Sequence, residues 1–266
     1  MTGRLAAELA VLARRLSTAQ VRAWRAVLDG VTAPSQAVEA ALIDVQAGPG
    51  TAGAAGHLVF AWQRFAPTLP GAAISLALAA AAEVCEEAER RRPRLVVSGP
   101  TSAAAAVRLT SSVVVEVVRA ATERVLLVSF AAHGVAEVVR ELDRALGRGV
   151  LVDLVLEETT DRGGALLSGA GSGAFDTLAG RARVWHWPPE RRGAAGRAAL
   201  HAKVVTADGT AALLSSANFT DRGLIDNIEV GFLVHDPDIV GQLEAHFRSL
   251  MRPESHCLSR IPWVAG

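Results

Sequence analysis

A short stretch of the chain gathers side chains able to hold and cleave a phosphate ester. His201 and Lys203 are two residues apart, Asp208 follows, then Ser216 and Asn218, and Glu229 comes a strand's length later. In an extended strand side chains alternate faces, so His201, Lys203 and Val205 share one face, while Leu200, Ala202 and Val204 share the other and suit a core. His201 and Lys203 then stand roughly 7 Å apart along the strand, at about 3.3 Å per residue, so one phosphate group can touch both. An imidazole can attack phosphorus or move a proton, and an ammonium can hold oxygens that gain charge. Asp208-Gly209 between two strand-like runs predicts a tight hairpin. Its second strand would deliver Ser216 and Asn218 near its end, and Glu229 on the next strand could reach a ring nitrogen of His201. Each residue alone has a plainer reading. A lone strand histidine is more often structural, Asp208 a turn residue, Asn218 loop chemistry and Glu229 a surface carboxylate. The conjunction favours chemistry.

Composition singles out the same window. Lys+Arg total 27, yet Lys203 is the only lysine; Asn218 and Asn227 are the only asparagines, and tyrosine is absent. The Ala, Arg, Gly and Val excess suggests a GC-biased genome that disfavours Lys and Asn codons. Arg and Lys are not interchangeable where a compact point charge is needed. Asp+Glu also total 27, so net charge is zero and announces no polyanionic partner. Cys85 and Cys257 fit no metal spacing and read as free thiols in a reducing compartment. No ligand cluster for a metal or cofactor is visible. The amphipathic start, with Glu8 inside the apolar stretch, is not a signal peptide, and the apolar run 71–82 is too short to span a bilayer. A cytoplasmic protein with no membrane partner is expected.

The elements that must position these residues follow from periodicity. Residues 1–93 read as a helical region, with helical spacing over 5–16 and 19–30, then 32–47, 57–65 and 74–92. Ser17 or Thr18 can cap the second helix, and Gly48-Pro49-Gly50 breaks the third. From 94 to 266 short β-branched runs alternate with helices. Strands are expected at 95–97, 125–129, 150–156, 183–187, 200–205, 211–214 and 228–234; helices at 112–121, 135–146, 174–179 and 237–251. This predicts an α/β fold with a central, mixed sheet flanked by helices. The Gly-rich stretch 163–173 reads as a mobile loop and lacks the lysine of a phosphate-binding P-loop. No internal repeat is visible.

His201, Lys203, Asp208, Ser216 and Asn218, with Glu229 at the downstream carboxylate position, resemble the signature of the phospholipase D superfamily over roughly 95–250. Ser215 stands where many members have glycine. A narrower resemblance runs through Ser98-Gly99-Pro100, Arg108 and Thr110, LLVSF, RGVLVDLVLE, VWHWP, LHAK, SSANFT and NIEVGFLV. These segments are similar to the phospholipase D-like component of DISARM anti-phage defence systems. The resemblance implies a metal-independent phosphodiesterase in which two motifs meet at one site. One histidine forms a phosphohistidine, the other protonates the leaving oxygen, Lys and Asn stabilise the non-bridging oxygens, Glu229 orients His201, and Asp208 is structural. Because the chain holds one His-x-Lys pair, the second half-site must come from another chain, and a two-fold homodimer is the economical answer. Other DISARM subunits are further possible partners.

Nucleic acid is the leading expected substrate. Over 181–203 the cations Arg181, Arg183, Arg191, Arg192, Arg197 and Lys203 face only Glu190, with Trp185 and Trp187 interleaved, a pattern that suits a nucleic-acid strand. The bland alternative makes the tryptophans core and the arginines a solvated loop. Likewise 90–94 is either a helix end that favours cations or a phosphate patch. A phospholipid phosphodiesterase and a nucleic-acid-binding accessory subunit with little turnover are the alternatives.

Overall fold

The computed structural model describes residues 2–104, 106–130, 132–133, 135–157, 178, 180–192 and 198–261. The glycine-rich stretch 163–173 and most of the helix expected at 174–179 lie outside the described residues. The chain divides into two compact units, Met1–Arg90 and Arg91–Gly266.

The first unit is built from α1 (Thr2–Ala13), α2 (Thr18–Leu28), α3 (Gln36–Val45), α4 (Thr51–Phe65) and most of α5 (Gly71–Arg91). Ser17 and Gln20 form a reciprocal capping box at the start of α2, satisfying two backbone donors that the first turn leaves free. Ser35 caps α3, which therefore starts later than the expected 32. Trp24, Trp62, Leu12, Leu42, Leu58 and Ile74 are fully buried in the core. Arg90 closes α5 on Glu83, Glu86 and Glu87. In the second unit Arg91 pairs with Asp236 and Asp238. The arginine run thus follows its plain reading at these two positions, as a partnered helix terminus.

The second unit is a three-layer α/β/α structure. Its strands are β1 (Arg94–Ser98), β2 (Arg108–Leu109), β3 (Arg124–Ser129), β4 (Ala132–His133), β5 (Leu151–Leu156), β6 (Arg183–His186), β7 (Val204–Ala207), β8 (Ala211–Ser215), β9 (Phe219–Thr220), β10 (Glu229–Val234) and β11 (Ser259–Ile261). The helices are α6 (Thr110–Ala120), α7 (Ala136–Gly147) and α8 (Pro237–Leu250). Nine strands form one mixed sheet in the order β11-β6-β5-β3-β7-β8-β10-β1-β2, and β4 pairs with β9 apart from it. Neighbours β3, β5 and β6 run parallel, with α7 as the crossover from β3 to β5, while β7, β8 and β10 form an antiparallel meander.

Strand parity decides which residues reach which layer. Val96, Val125, Leu127, Val152, Leu154, Val205, Leu213 and Leu233 bury one face of the sheet in the same core cluster as Val114, Val118 and Leu142 of α6 and α7. Leu126, Val128, Val155 and Val204 bury the other with Phe247 of α8. Leu200 and Ala202 join Val204 in that second cluster, as the alternation requires. The ladder itself begins later than the expected 200, at Val204, so His201 and Lys203 lie in the extended segment entering β7.

The β7–β8 hairpin turns at Asp208 and Gly209, with φ of 54° and 67°, and the Thr210 N–H closes it on the Ala207 carbonyl at 3.0 Å. The Asp208 carboxylate accepts from the backbone N–H groups of Thr122, Glu123 and Arg124 and from the Thr122 hydroxyl, at 2.8–2.9 Å. Partial burial pushes its pKa up, but these backbone bonds more than offset that and hold it below the ordinary carboxylate value. A depressed carboxylate contributes stability above its unfolded pKa and loses it as pH falls through the folded one. Asp208→Asn is expected to lower unfolding free energy by about 2 kcal/mol at neutral pH. In urea titrations the gap between parent and variant should narrow in acid; a gap that widens would contradict this role.

Candidate active site

One end of the central sheet collects the chemistry. Val128 pairs with Val204, Val204 with Leu214, Gly231 with Ser215, and Ser98 with Glu229. The row just beyond sets Ser129, Lys203 and Ser215 side by side, and Ser216, Glu229 and Gly99 lie one to three residues further out at the same end of the sheet, just after β8, on β10 and just after β1. The Ser215 N–H donates to the Lys203 carbonyl at 3.1 Å and the Ser216 N–H to the Val230 carbonyl at 3.0 Å, extending the ladders into this edge.

The Lys203 Nζ donates to His201 Nδ1 at 2.9 Å and to the His201 carbonyl at 2.7 Å. The predicted neighbours are thus in direct contact. Lys203 is buried, with 6% of its surface exposed, whereas His201 faces solvent. The imidazole leans on Phe130 with ring centroids 5.1 Å apart, and the ammonium sits 5.7 Å from the centre of the same ring. An ammonium has donors only, so Nδ1 accepts, and a neutral His201 in this arrangement carries its proton on Nε2.

Burial pushes the Lys203 pKa below the ordinary lysine value, and the negative charge of Glu229 partly restores it. The charged form that can hold an anion exists below the folded pKa and is lost as pH rises through it. An alkaline fall in kcat/KM should therefore come at lower pH than an unperturbed lysine would give. Glu229→Gln removes the opposing charge and should move that fall lower still. A pH–rate profile in which the variant's fall moves upward would contradict the assignment.

Glu229 does not bond the His201 ring. Its carboxylate accepts from the Ser216 hydroxyl and from the Asn227 side-chain amide, the latter at 3.2 Å. Ser216 Oγ in turn accepts the Val230 N–H at 3.1 Å. These two local donors take the carboxylate that the sequence left free to reach the imidazole. The Ser98-Gly99 segment supports this corner: Gly99 has φ of 78°, and a Cβ there would lie 2.7 Å from the Asn227 carbonyl.

Asn218 follows β8 close by. The next N–H, of Phe219, donates to Ser129 Oγ at 3.3 Å. The Asn218 Oδ1 is buried with no hydrogen-bond partner among the described residues, a state that calls for an occupant. Asp208 lies at the far end of β7 and takes no part in the cluster; it holds the hairpin. Of the six residues singled out from sequence, the fold brings His201 and Lys203 into contact, pairs Ser216 with Glu229 beside them, sets Asn218 nearby, and leaves Asp208 remote.

The basic segment is not a free cationic strip. Arg181 pairs with Asp143, Arg183 with Asp153, and Arg192 with Glu157. Trp185 donates its indole N–H to Asp153 at 2.8 Å, and both Trp185 and Trp187 pack against the α8-side core. These three cations have each found a carboxylate elsewhere in the fold, and the two rings are half buried, so at these positions the plain reading holds. Arg197 lies outside the described residues.

Sequence reasoning missed Glu157 and understood Arg192 only as a charge. Glu157 ends the β5 segment with a fully buried side chain, and the Arg192 side chain is 2% exposed. The guanidinium grips both carboxylate oxygens, at 2.6 and 3.2 Å, and donates to the carbonyls of Trp187 and Ala198. The Leu200 N–H gives the same carboxylate a further bond at 2.8 Å. This buried fork fixes the chain immediately before His201. A signal existed: a carboxylate closing the apolar run LVDLVLE demands a buried cation.

A family model described as cardiolipin synthase, PLD-like domain, matches residues 114–251, just over half of the 266-residue chain. The DISARM protein DrmC of Bacillus paralicheniformis is 31% identical over 143 residues, 52% of this chain and 55% of that protein. The chain thus spans about half the length of the curated relative it matches. Among solved structures, the phospholipase D family member Nuc from Salmonella typhimurium aligns with a TM-score of 0.47 and 18% identity, covering 64% of this chain and 99% of Nuc. NucT from Helicobacter pylori aligns at 0.44 and 15%, covering 56% and 89%.

Proposed function

The chain belongs to the PLD-like domain family, and from that premise we propose that it hydrolyses phosphodiester bonds in nucleic acid as part of anti-phage defence, without a metal, at a site shared by two copies. The observation that carries the reading is the His201–Lys203 contact within the family-matched span, with the unpartnered Asn218 Oδ1 beside it. The relative named for DISARM points to defence, where the phosphodiester polymer at hand is nucleic acid. The family description, which names cardiolipin synthase, favours a second reading with phospholipid phosphodiesters as substrate.

In the proposed reaction the His201 Nε2 lone pair of one copy attacks phosphorus, and the P–O bond to the leaving group breaks. The other copy's His201, as an imidazolium, passes its Nε2 proton to that leaving oxygen and becomes a neutral imidazole. The second imidazole then takes a proton from water, the hydroxide attacks phosphorus, and the N–P bond breaks to restore the first histidine. With Lys203 on Nδ1, His201 is held neutral with its proton on Nε2, and the copy that acts as acid must first release that bond and take a proton on Nδ1. A phosphate oxygen competing for the ammonium frees Nδ1 to carry the proton and leaves the Nε2 lone pair for attack. Ile228, Val230 and Phe232 expose apolar side chains beside Glu229 and offer a surface for a second copy.

The test mixes parent chains with His201→Ala chains in equal amounts under conditions of subunit exchange, assaying labelled DNA, RNA and phospholipid vesicles side by side. A shared site predicts about one quarter of the parent activity, because only parent homodimers turn over; independent sites predict about one half. The one-half result, or a monomeric active species, would overturn the shared site. Turnover of vesicles alone would replace the nucleic-acid reading with the lipid one.

A further inference from the structure

The same unit holds a second concave site, at the opposite end of the sheet from His201. A cavity of about 380 Å³ opens where the first residues of β3, β5 and β6 meet the C-terminal half of α8. Along β3, Arg124 at its rim is five residues from Ser129 at the other edge, roughly 16 Å. Arg124, Arg183, Arg248 and Arg252 line it, from three separate stretches of chain, together with Asp153 and Glu244.

The two carboxylates are already committed. Asp153 takes the Arg183 guanidinium and the Trp185 indole N–H. Glu244 accepts from the Thr206 hydroxyl at 2.7 Å and the Gly209 N–H at 2.9 Å, with Arg248 at 3.7 Å. What is left over is all donor. The guanidinium groups of Arg124 and Arg252 have no ion pair or hydrogen bond among the described residues, and the Arg183 Nε–H is buried without a partner. Leu126, Leu151, Trp185 and Met251 supply apolar wall between these donors. Surplus positive charge, a buried unsatisfied donor and an apolar lining in one cavity together describe the complement of an anion with a ring-bearing body. The volume lies within the range of small-ligand pockets.

The geometry points to a binding site for a phosphate monoester of mononucleotide size, its phosphate held by Arg124 and Arg252 and its body against Trp185 and Met251. The site is separate from the His201 cluster and does not depend on the activity proposed there. Guanidinium groups suit phosphate because their N–H donors match two oxygens at once.

Calorimetric titration of the 266-residue His201→Ala chain with adenosine 5′-monophosphate, and separately with inorganic phosphate, tests this. The monophosphate should bind, and inorganic phosphate should bind more weakly for want of the apolar contacts. Arg124→Ala with Arg252→Ala should weaken binding at least about tenfold, the effect of about 1.4 kcal/mol. Leu151→Glu is a second variant that removes no packing partner of the core: Leu151 is 51% exposed at the rim, and a carboxylate there should repel the ligand to a similar degree. No binding at millimolar ligand, binding indifferent to both variants, or equal affinity for inorganic phosphate would overturn the proposal. Parent and His201→Ala chains should titrate alike; binding lost with His201 would place the ligand at the other site and overturn it too.

Discussion

His201→Ala is expected to lower phosphodiester hydrolysis by at least about 10⁴-fold, since in the proposed two-copy site it removes both nucleophile and proton carrier. The fold should be unaffected. His201 faces solvent, and its side chain touches Lys203 and Phe130 without closing any ladder. Lys203→Arg should also lose most activity, because a guanidinium in the buried lysine's place cannot reproduce a compact ammonium against Nδ1 and one phosphate oxygen. The assay belongs in excess chelator, where parent activity is expected to persist. Near-parent turnover by pure His201→Ala protein sinks the assignment of His201.

The second large effect belongs to Glu157. Glu157→Gln leaves the Arg192 guanidinium in place, almost fully buried, with half of its fork gone and its charge uncompensated. Breaking such a pair from one side costs about 3–5 kcal/mol, a large share of the stability of a domain this size. Urea unfolding should show that loss, and the folded fraction should be slow, because the Leu200 N–H loses its carboxylate and the Arg192 that holds the Ala198 carbonyl loses its anchor, directly ahead of His201. Replacing both residues, Glu157→Met with Arg192→Leu, removes the stranded charge and should return much of the stability. It should not return kcat, since the carboxylate that ordered Leu200 is still missing. A Gln variant within about 1 kcal/mol of the parent would mean that the pair is solvated and holds nothing.

How far the sequence carries can be judged residue by residue. The alternation at 200–205 correctly places Leu200, Ala202 and Val204 in one core cluster and Val205 in the other, because parity depends only on extended backbone. Asp208-Gly209 names its hairpin because both positions need positive φ, which few residues tolerate. Contacts made across the sheet left no such trace. Glu157 and Arg192 are thirty-five residues apart and meet only once the chain has crossed to β6 and returned. Glu229 looked free to turn toward His201, but its choice of Ser216 and Asn227 depends on the register of β8 against β10, which no local pattern states. The tryptophans at 185 and 187 take the plain reading of core packing for a related reason. Interleaved charge and aromatics describe a nucleic-acid surface and a strand beside buried ion pairs equally well until the partner carboxylates are known.

The lone lysine has a practical consequence. Apart from the chain's terminal amine, the ε-amino group of Lys203 is the only primary amine of the protein. It is nearly enclosed, and its proton is held less tightly than usual. An amine-directed reagent small enough to enter would therefore report on one place, with no background from other side chains. Protection of that single amine by a bound oligonucleotide or phosphate would act as an occupancy gauge, read by mass spectrometry without any turnover.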